Sequence, residues 1–344
     1  MRTQSPAPSL AHVEYRAADD GSVRGDSLPM LGPHANGIPA MMLSRTIRAC
    51  ALVALSACAA AAQTPADGFM MPKRHASVGV LYAQDSWDHY WEGTLKRTNG
   101  NVGTVTTRSV TWIGGYGITD RLGVMATLPY VWTHASQGVL SDARGIQDFS
   151  VAAKYRLLSA GSTSGQRFSA FLVGAAAVPV GEYTPDFMPL SIGSGGSRAS
   201  ARLTLNYEAA SVWFANASSA YTFCNNVTLN RNSYFTDGQL YLTNEVAMPN
   251  VLENTVGVGF RSGRWQVPLA VVQQRTLGGG DIRRQDMPFV SNRMDFVRLE
   301  GAVMYALPVP NNLSIRFGAA HVLTGRNVGQ STTFTTGVSH AYHF

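Results

Sequence analysis

The stretch that decides the fold is "DFSVAAKYRLL", Asp148 to Leu158. Phe149, Val151, Ala153, Tyr155 and Leu157 fall on one face at period two, and Asp148, Ser150, Ala152, Lys154 and Arg156 fall on the other. Strict alternation of this kind marks a β-strand standing between two different environments. A slip of one residue would carry Lys154 and Arg156 into the apolar side, so the register is well specified.

Working outward, the same unit recurs from about residue 75 to the end, roughly ten alternating residues at a time between turn clusters. In "RLGVMATLPYVW", Leu122, Val124, Ala126, Leu128, Tyr130 and Trp132 share a face. In "FVRLEGAVMYAL", Val297, Leu299, Val303, Tyr305 and Leu307 oppose Arg298, Glu300 and Met304. In "NLSIRFGAAHVL", Leu313, Ile315 and Phe317 oppose Ser314 and Arg316. The last unit, "TTFTTGVSHAYHF", runs to the final residue, with Phe334, Thr336, Val338, His340, Tyr342 and Phe344 on one face. No segment carries a stripe of helical period.

The connections alternate in length. Short ones lie at Ile118–Arg121, Ser159–Gln166, near Glu208, at Arg261–Arg264 and at Pro308–Asn312. Long ones lie near 91–103, 135–146, 181–197, 224–250, 277–292 and 325–330. Five short turns and six long loops predict twelve strands. "QLYLTNEVAM", within 224–250, reads either as a strand pair above the membrane or as part of a fourteen-strand count. Tight turns at one end and long loops at the other are the habit of bacterial outer-membrane barrels, whose termini lie on the periplasmic side. In lipid every backbone amide needs an internal partner, and a closed barrel supplies one with no free edge. The expected fold is therefore an all-β, antiparallel, up-and-down transmembrane barrel over 75–344. Trp112, Tyr130, Trp132, Tyr155, Trp213, Trp265 and Tyr305 are expected in its interfacial girdles. A secreted β-sandwich would share the alternation but not an apolar face on every strand.

Composition agrees. Charged residues are 14% of the chain, against about a quarter in a typical soluble domain. Mean hydropathy is −0.02, and no run approaches the ~20 apolar residues of a spanning helix. The net charge is +6, but the basic residues are scattered and form no nucleic-acid module. "MMLSRTIRACALVALSACAAAAQTPADG" places Arg45 and Arg48 before an apolar run, Ala49 to Ala62, with small residues ahead of Gln63. That is a secretory signal over 41–62, too short to span. Residues 1–40 read as a mis-called or disordered leader, and 63–74 as a short periplasmic segment. "LSAC" at Leu55–Cys58 also fits a lipoprotein box, so Cys58 is either removed or lipidated. Cys50 lies in the signal, and Cys224 is then the one thiol of the mature body, so no intrachain disulfide is expected. No Cys/His spacing suits a metal, and no cofactor is expected.

At "YGITDRLGVMATLPYV" (Tyr116–Val131), followed by "GIQDFSVAAKYRLL" (Gly145–Leu158), the chain resembles the transporter-like outer-membrane barrels associated with meta-pathway phenol degradation. The shared pattern is a strand, a Gly-x-Thr-Asp turn and an apolar strand ending Leu-Pro-Tyr. An outer loop follows, then Gly-x-x-Asp leading a strand that ends Lys-Tyr-Arg. The resemblance covers roughly residues 105–344 and is weakest through 181–250. It implies passage of small, often aromatic or hydrophobic, compounds across the outer membrane, and it transfers no functional residue.

Candidate site residues follow from parity. Arg108, Lys154, Arg156, Arg202, Arg298, Glu300 and Arg316 are expected to line the lumen. Either they form a polar pathway for anionic or aromatic-acid solutes, or they pair with one another in a filled interior, because a barrel near twelve strands is narrow. Tyr342 and Phe344 resemble the terminal signal read by the barrel-assembly machinery, with His340 a departure from it. Outer-membrane lipids and a small-molecule solute are the other expected partners. His134 and Ser136 have the spacing of the outer-membrane phospholipases, which use an Asn to orient the His; no such Asn is evident here, and a nucleophilic Ser needs an oriented base. The chain is therefore not expected to be an enzyme. "LGGGDIRRQD" (Leu277–Asp286) lacks the strand-loop-helix setting of a phosphate cradle and is expected to be a mobile outer loop.

Overall fold

The computed structural model describes residues 64–182, 184–283, 287–309 and 312–344. The leader at 1–40, the signal at 41–62 and Cys58 lie outside the described residues. The wall is built from β1 (His75–Trp87), β2 (Val105–Thr119), β3 (Leu122–Ala135) and β4 (Phe149–Gly161). It continues through β5 (Arg167–Val178), β6 (Arg198–Glu208), β7 (Trp213–Cys224) and β8 (Val251–Ser262). It ends with β9 (Trp265–Thr276), β10 (Asp295–Ala306), β11 (Leu313–Arg326) and β12 (Thr332–His343). Each strand pairs antiparallel with the next, and β1 closes the ring on β12 from His75↔His343 to Ser86↔Thr332. The expected twelve-stranded closed barrel is what forms. A short extra strand, Arg144–Ile146, only adds to the loop end of β3.

The doubtful region between β7 and β8 adds nothing to the wall. It folds as two small hairpins, Tyr234–Thr236 against Gln239–Tyr241 and Val227–Thr228 against Glu245–Val246. Strand pairs above the rim are thus correct and fourteen strands are not. With Phe289 and Val290 from the β9–β10 loop, Val227, Leu229, Tyr234 and Val246 make a separate core at the loop end. Tyr234 stacks between Tyr241 at 5.0 Å and Phe289 at 5.2 Å.

The faces are inverted relative to a soluble protein. On β8, Val256 and Val258 are 64% and 53% exposed, while Lys154, Thr204 and Asn206 on other strands are buried to 0–1%. Apolar surface this extensive is unfavourable in water and is stable against hydrocarbon. The β-ladder needs nothing from that hydrocarbon, because every strand has two partners. Aromatic pairs stand at both ends of the belt: Trp213 on Phe260 and Trp265 on Tyr305 at the turn end, Tyr130 and Tyr82 around Trp132 at the loop end. Trp112 differs from the expected girdle position, since it stands midway along β2 opposite Leu128. The closed ladder and apolar belt make this a membrane barrel of bacterial outer-membrane architecture.

Candidate functional site

The lumen is filled at its turn end by the chain itself. The segment expected to be periplasmic, 63–74, instead enters the barrel over its described part. Thr64 and Asp67 fold a tight turn: the Thr64 hydroxyl and the Phe69 amide donate to the Asp67 carboxylate at 2.9 and 3.0 Å. Lys154, wholly buried on β4, meets this turn. Its ammonium donates to the Asp67 carbonyl at 2.6 Å, to Asp67 Oδ1 at 2.8 Å and to the Thr64 carbonyl at 3.1 Å. Three donors find three acceptors, which is what a buried ammonium needs to stay charged. The Phe171 ring lies 5.1 Å from the same nitrogen.

Phe69 anchors the next turn of the plug. Its ring stands edge-on to Phe214 at 5.0 Å, and the Arg261 guanidinium covers its face at 4.3 Å. Arg261 is held in turn by Glu208 at 2.6 Å. Between these anchors Gly68 passes so close to Asn206 that a Cβ would lie 2.2 Å from the Asn206 side chain. Gly117 on β2 does the same for the way out, since its Cβ would sit 2.0 Å from the Pro72 carbonyl oxygen. Arg74 then turns with φ of 59° and donates its amide to the Gly117 carbonyl at 2.8 Å. The plug was not foreseen from the sequence. Its signal was weak: a short segment without periodicity, holding one acid and one aromatic ahead of the first strand.

The expected lumen residues divide into groups. Lys154 holds the plug. Arg202 faces inward and is paired, to Glu253 at 2.6 Å and to the Ser218 hydroxyl at 2.8 Å. Arg298 and Glu300 pair along β10 at 2.8 Å. Arg316 lies on β11 in register with Met304, toward whose sulfur it points one nitrogen at 3.6 Å. Arg156 sits by the β2–β3 turn, its guanidinium on the Asp120 carbonyl. Arg108 is a correction. It pairs in register with Trp132 on the exposed parity and donates to Gln84 at 2.9 Å. Its place is the outer wall near the loop end, because Val105, buried to 1%, and Thr107, paired with buried Thr133, are the β2 residues that point inward there.

The loop end is also covered. The β5–β6 loop bends over so that the carbonyl of Leu190, itself fully buried, accepts from inward-facing Thr133 at 2.7 Å. The Gly-rich β9–β10 loop is tied down on its described side. Asp281 receives two Arg326 nitrogens, Nε and Nη2, and Asn327 Nδ2. Asn327 Oδ1 accepts the amides of Gly93 and Ile282 at 2.8 and 3.0 Å, which joins three loops. The Arg326 hydrogen bonds hold the Asp281 carboxyl below the usual carboxylate range.

His134 has an acidic partner that the sequence did not reveal: Asp142, across its own loop, lies 2.9 Å from Nδ1. Both side chains are more than half exposed. The Ser136 hydroxyl accepts the Thr104 amide at 2.8 Å. At the C-terminus, Tyr342 and Phe344 keep the exposed parity with their rings stacked, and the Phe344 amide donates to the Arg74 carbonyl at 3.0 Å. No group of metal-ligating side chains occurs among the described residues.

No protein-family model matches the chain, and no curated protein does. Among solved structures it is similar to an outer membrane channel from Pseudomonas putida F1, with a TM-score of 0.63 and 14% identity over 82% of this chain and 100% of that one. The translocator domain of autotransporter NalP from Neisseria meningitidis gives 0.43 and 12% over 89% and 96%. A CymD monoaromatic hydrocarbon channel gives 0.38 and 11% over 79% and 89%. The first of these likenesses establishes the fold, a twelve-stranded outer-membrane barrel.

Proposed function

We propose that the protein is a gated outer-membrane channel for small solutes, aromatic or otherwise apolar in body. The observation that carries this reading is the plug. A purely structural barrel gains nothing from holding a terminal segment inside its lumen by one buried ion pair and one aromatic ring. A channel that must stay closed to bulk solutes does. The description of the Pseudomonas putida F1 neighbour as a channel supports the same reading, and so does the resemblance of Tyr116–Val131 and Gly145–Leu158 to transporter-like barrels.

The test is flux. Proteoliposomes carrying the refolded barrel are expected to admit benzoate faster than empty vesicles, and faster again once residues 64–71 are removed. Absence of both flux and bilayer conductance in the two proteins alike would sink the channel. Outer-membrane lipid around the belt and the barrel-assembly machinery are the partners that this reading requires. Removing Phe344 is expected to lower the amount of assembled barrel while leaving flux per inserted molecule unchanged; normal surface levels would refute that role.

A second reading is a hydrolase at the lipid face, favoured by the contact of Asp142 with His134. A base oriented by an acid is two members of a triad. Ser136→Ala decides it: lipid hydrolysis by the wild type that this variant loses would establish the enzyme, and a wild type without hydrolysis removes it.

A further inference from the structure

The plug's hydrogen bonds and ring contacts described above fall on β2, β4, β7 and β8. From β8 to β11 one in-register row of inward residues crosses the strands: Arg261, Gln266, Met304 and Arg316. Arg261 is engaged by Glu208 and Phe69. The other two polar members are not. Gln266 is only 7% exposed, and its Oε1 has no hydrogen-bond partner among the described residues. Arg316 Nε has none either, and no carboxylate of the described residues makes an ion pair with Arg316. Both residues line one cavity of about 70 Å³ at the wall, together with apolar residues of the belt such as Trp265 and Tyr305. Arg316 also lines the neighbouring cavity of about 240 Å³ beneath Arg298 and Glu300.

A guanidinium without a hydrogen-bonded anion in such a place is costly, because Glu300 and Asp67 act on it only through space and repay its desolvation in part. An orphaned amide beside it adds a second unsatisfied group. Strands lie about 4.8 Å apart, so Gln266 and Arg316, two strands from each other, approach within about 10 Å at the backbone with Met304 between them. A small oxyanion between their side-chain ends is the chemical complement of that pair. It would accept from the guanidinium, and from the amide once that has turned its nitrogen inward, an exchange with almost no change of shape.

We propose that Arg316 and Gln266 form a binding site for a small organic carboxylate, whose apolar body lies against Met304. The proposal deepens the channel reading, since the solute must be able to enter the lumen, but binding and flux are measured separately. The probe is benzoate, with benzyl alcohol as its neutral counterpart, titrated calorimetrically into the detergent-solubilised full barrel. A charge-assisted pair of hydrogen bonds amounts to about a tenfold preference for benzoate.

Arg316→Met is expected to lose that preference, Arg316→Lys to keep part of it, and Gln266→Leu to weaken benzoate about threefold. Heat-modifiable gel migration verifies that each variant is folded. Equal binding of the two probes by the wild type overturns the site, and so does full benzoate affinity in folded Arg316→Met. Binding without flux or conductance, in the wild type and in the barrel lacking residues 64–71 alike, leaves the site standing and removes the channel. Flux with no preference for benzoate does the reverse.

Discussion

The two halves of the barrel wall are built from the same strand grammar and differ in how far they match their charges. From β2 to β8 each inward cation deep in the lumen has its anion: Lys154 has Asp67, Arg202 has Glu253, Arg261 has Glu208. From β9 through β12 to β1, Arg298 has Glu300, but Arg316 Nε and Gln266 Oε1 stay without hydrogen-bond partners among the described residues. Small residues line that side, among them Gly301, Ala302, Ala319, Ala320 and Gly337. The first half is a closed polar network around a plug. A charge that is paired locks a structure, and a charge left unpaired in a cavity invites a ligand.

The strongest test of this contrast removes the lock. Lys154→Met strands Asp67 and deletes the three hydrogen bonds that seat the plug. Loss of a buried ion-pair partner costs about 3 kcal/mol, which raises the plug-out population roughly a hundredfold. Single-channel recordings are expected to show long open bursts that the wild type lacks. Unchanged traces would mean that the plug is held elsewhere.

Next, the two arginines are compared directly. Arg202→Met leaves Glu253 alone in the lumen and is expected to destabilise the barrel by about 2 kcal/mol, a partly exposed case of the same penalty. Arg316→Met removes a charge that no hydrogen-bonded anion offsets and is expected to cost no stability. Urea midpoints of the refolded proteins in detergent read both. Equal losses would erase the distinction between the halves.

Gly68→Ala probes the fit of the plug against its own half. The added methyl meets buried Asn206, and overpacking of this kind costs about 1–2 kcal/mol. Current noise at fixed voltage is expected to rise, by less than in Lys154→Met. A silent variant would show that Asn206 yields.

The smallest expected effect lies at the loop end. The Asp281 carboxyl is held low by Arg326, so its contribution is complete above the unfolded carboxylate value near about 4. That contribution is lost as pH falls through the lower folded value. Exchange protection of the Gly93 and Ile282 amides, both on Asn327, should hold at pH 5 and drop on further acidification, after correction for intrinsic exchange rates. Asp281→Asn should abolish the pH dependence. Retention of it in that variant would assign the titration to another group.

Much of this molecule is legible in its sequence. Phe149 to Leu157 announces a strand and its facing, and the alternation of turn and loop lengths gives twelve strands. The reason is physical: lipid outside and polar groups inside impose a period-two code on every strand, and the closed ladder leaves no choice of partner order. Arg108 was misread because parity is a local count, and β2 has too few strongly apolar residues near that end to fix which face is which. His134 found Asp142 across a loop whose path no period describes.

The plug and the unmatched pair belong to the tertiary structure alone. Thr64–Pro72 carries no repeat, and nothing in its composition says that Lys154, some 87 residues away along the chain, will hold Asp67. Whether an inward arginine is paired depends on which side chains share its height around the ring, and that is set by strand tilt and shear. The sequence by itself therefore determined the barrel, its strand count and most of its facing, because each is encoded within one strand and its turns. What fills the lumen, and which charges stay free in it, was decided only when twelve strands closed and brought distant residues to one level.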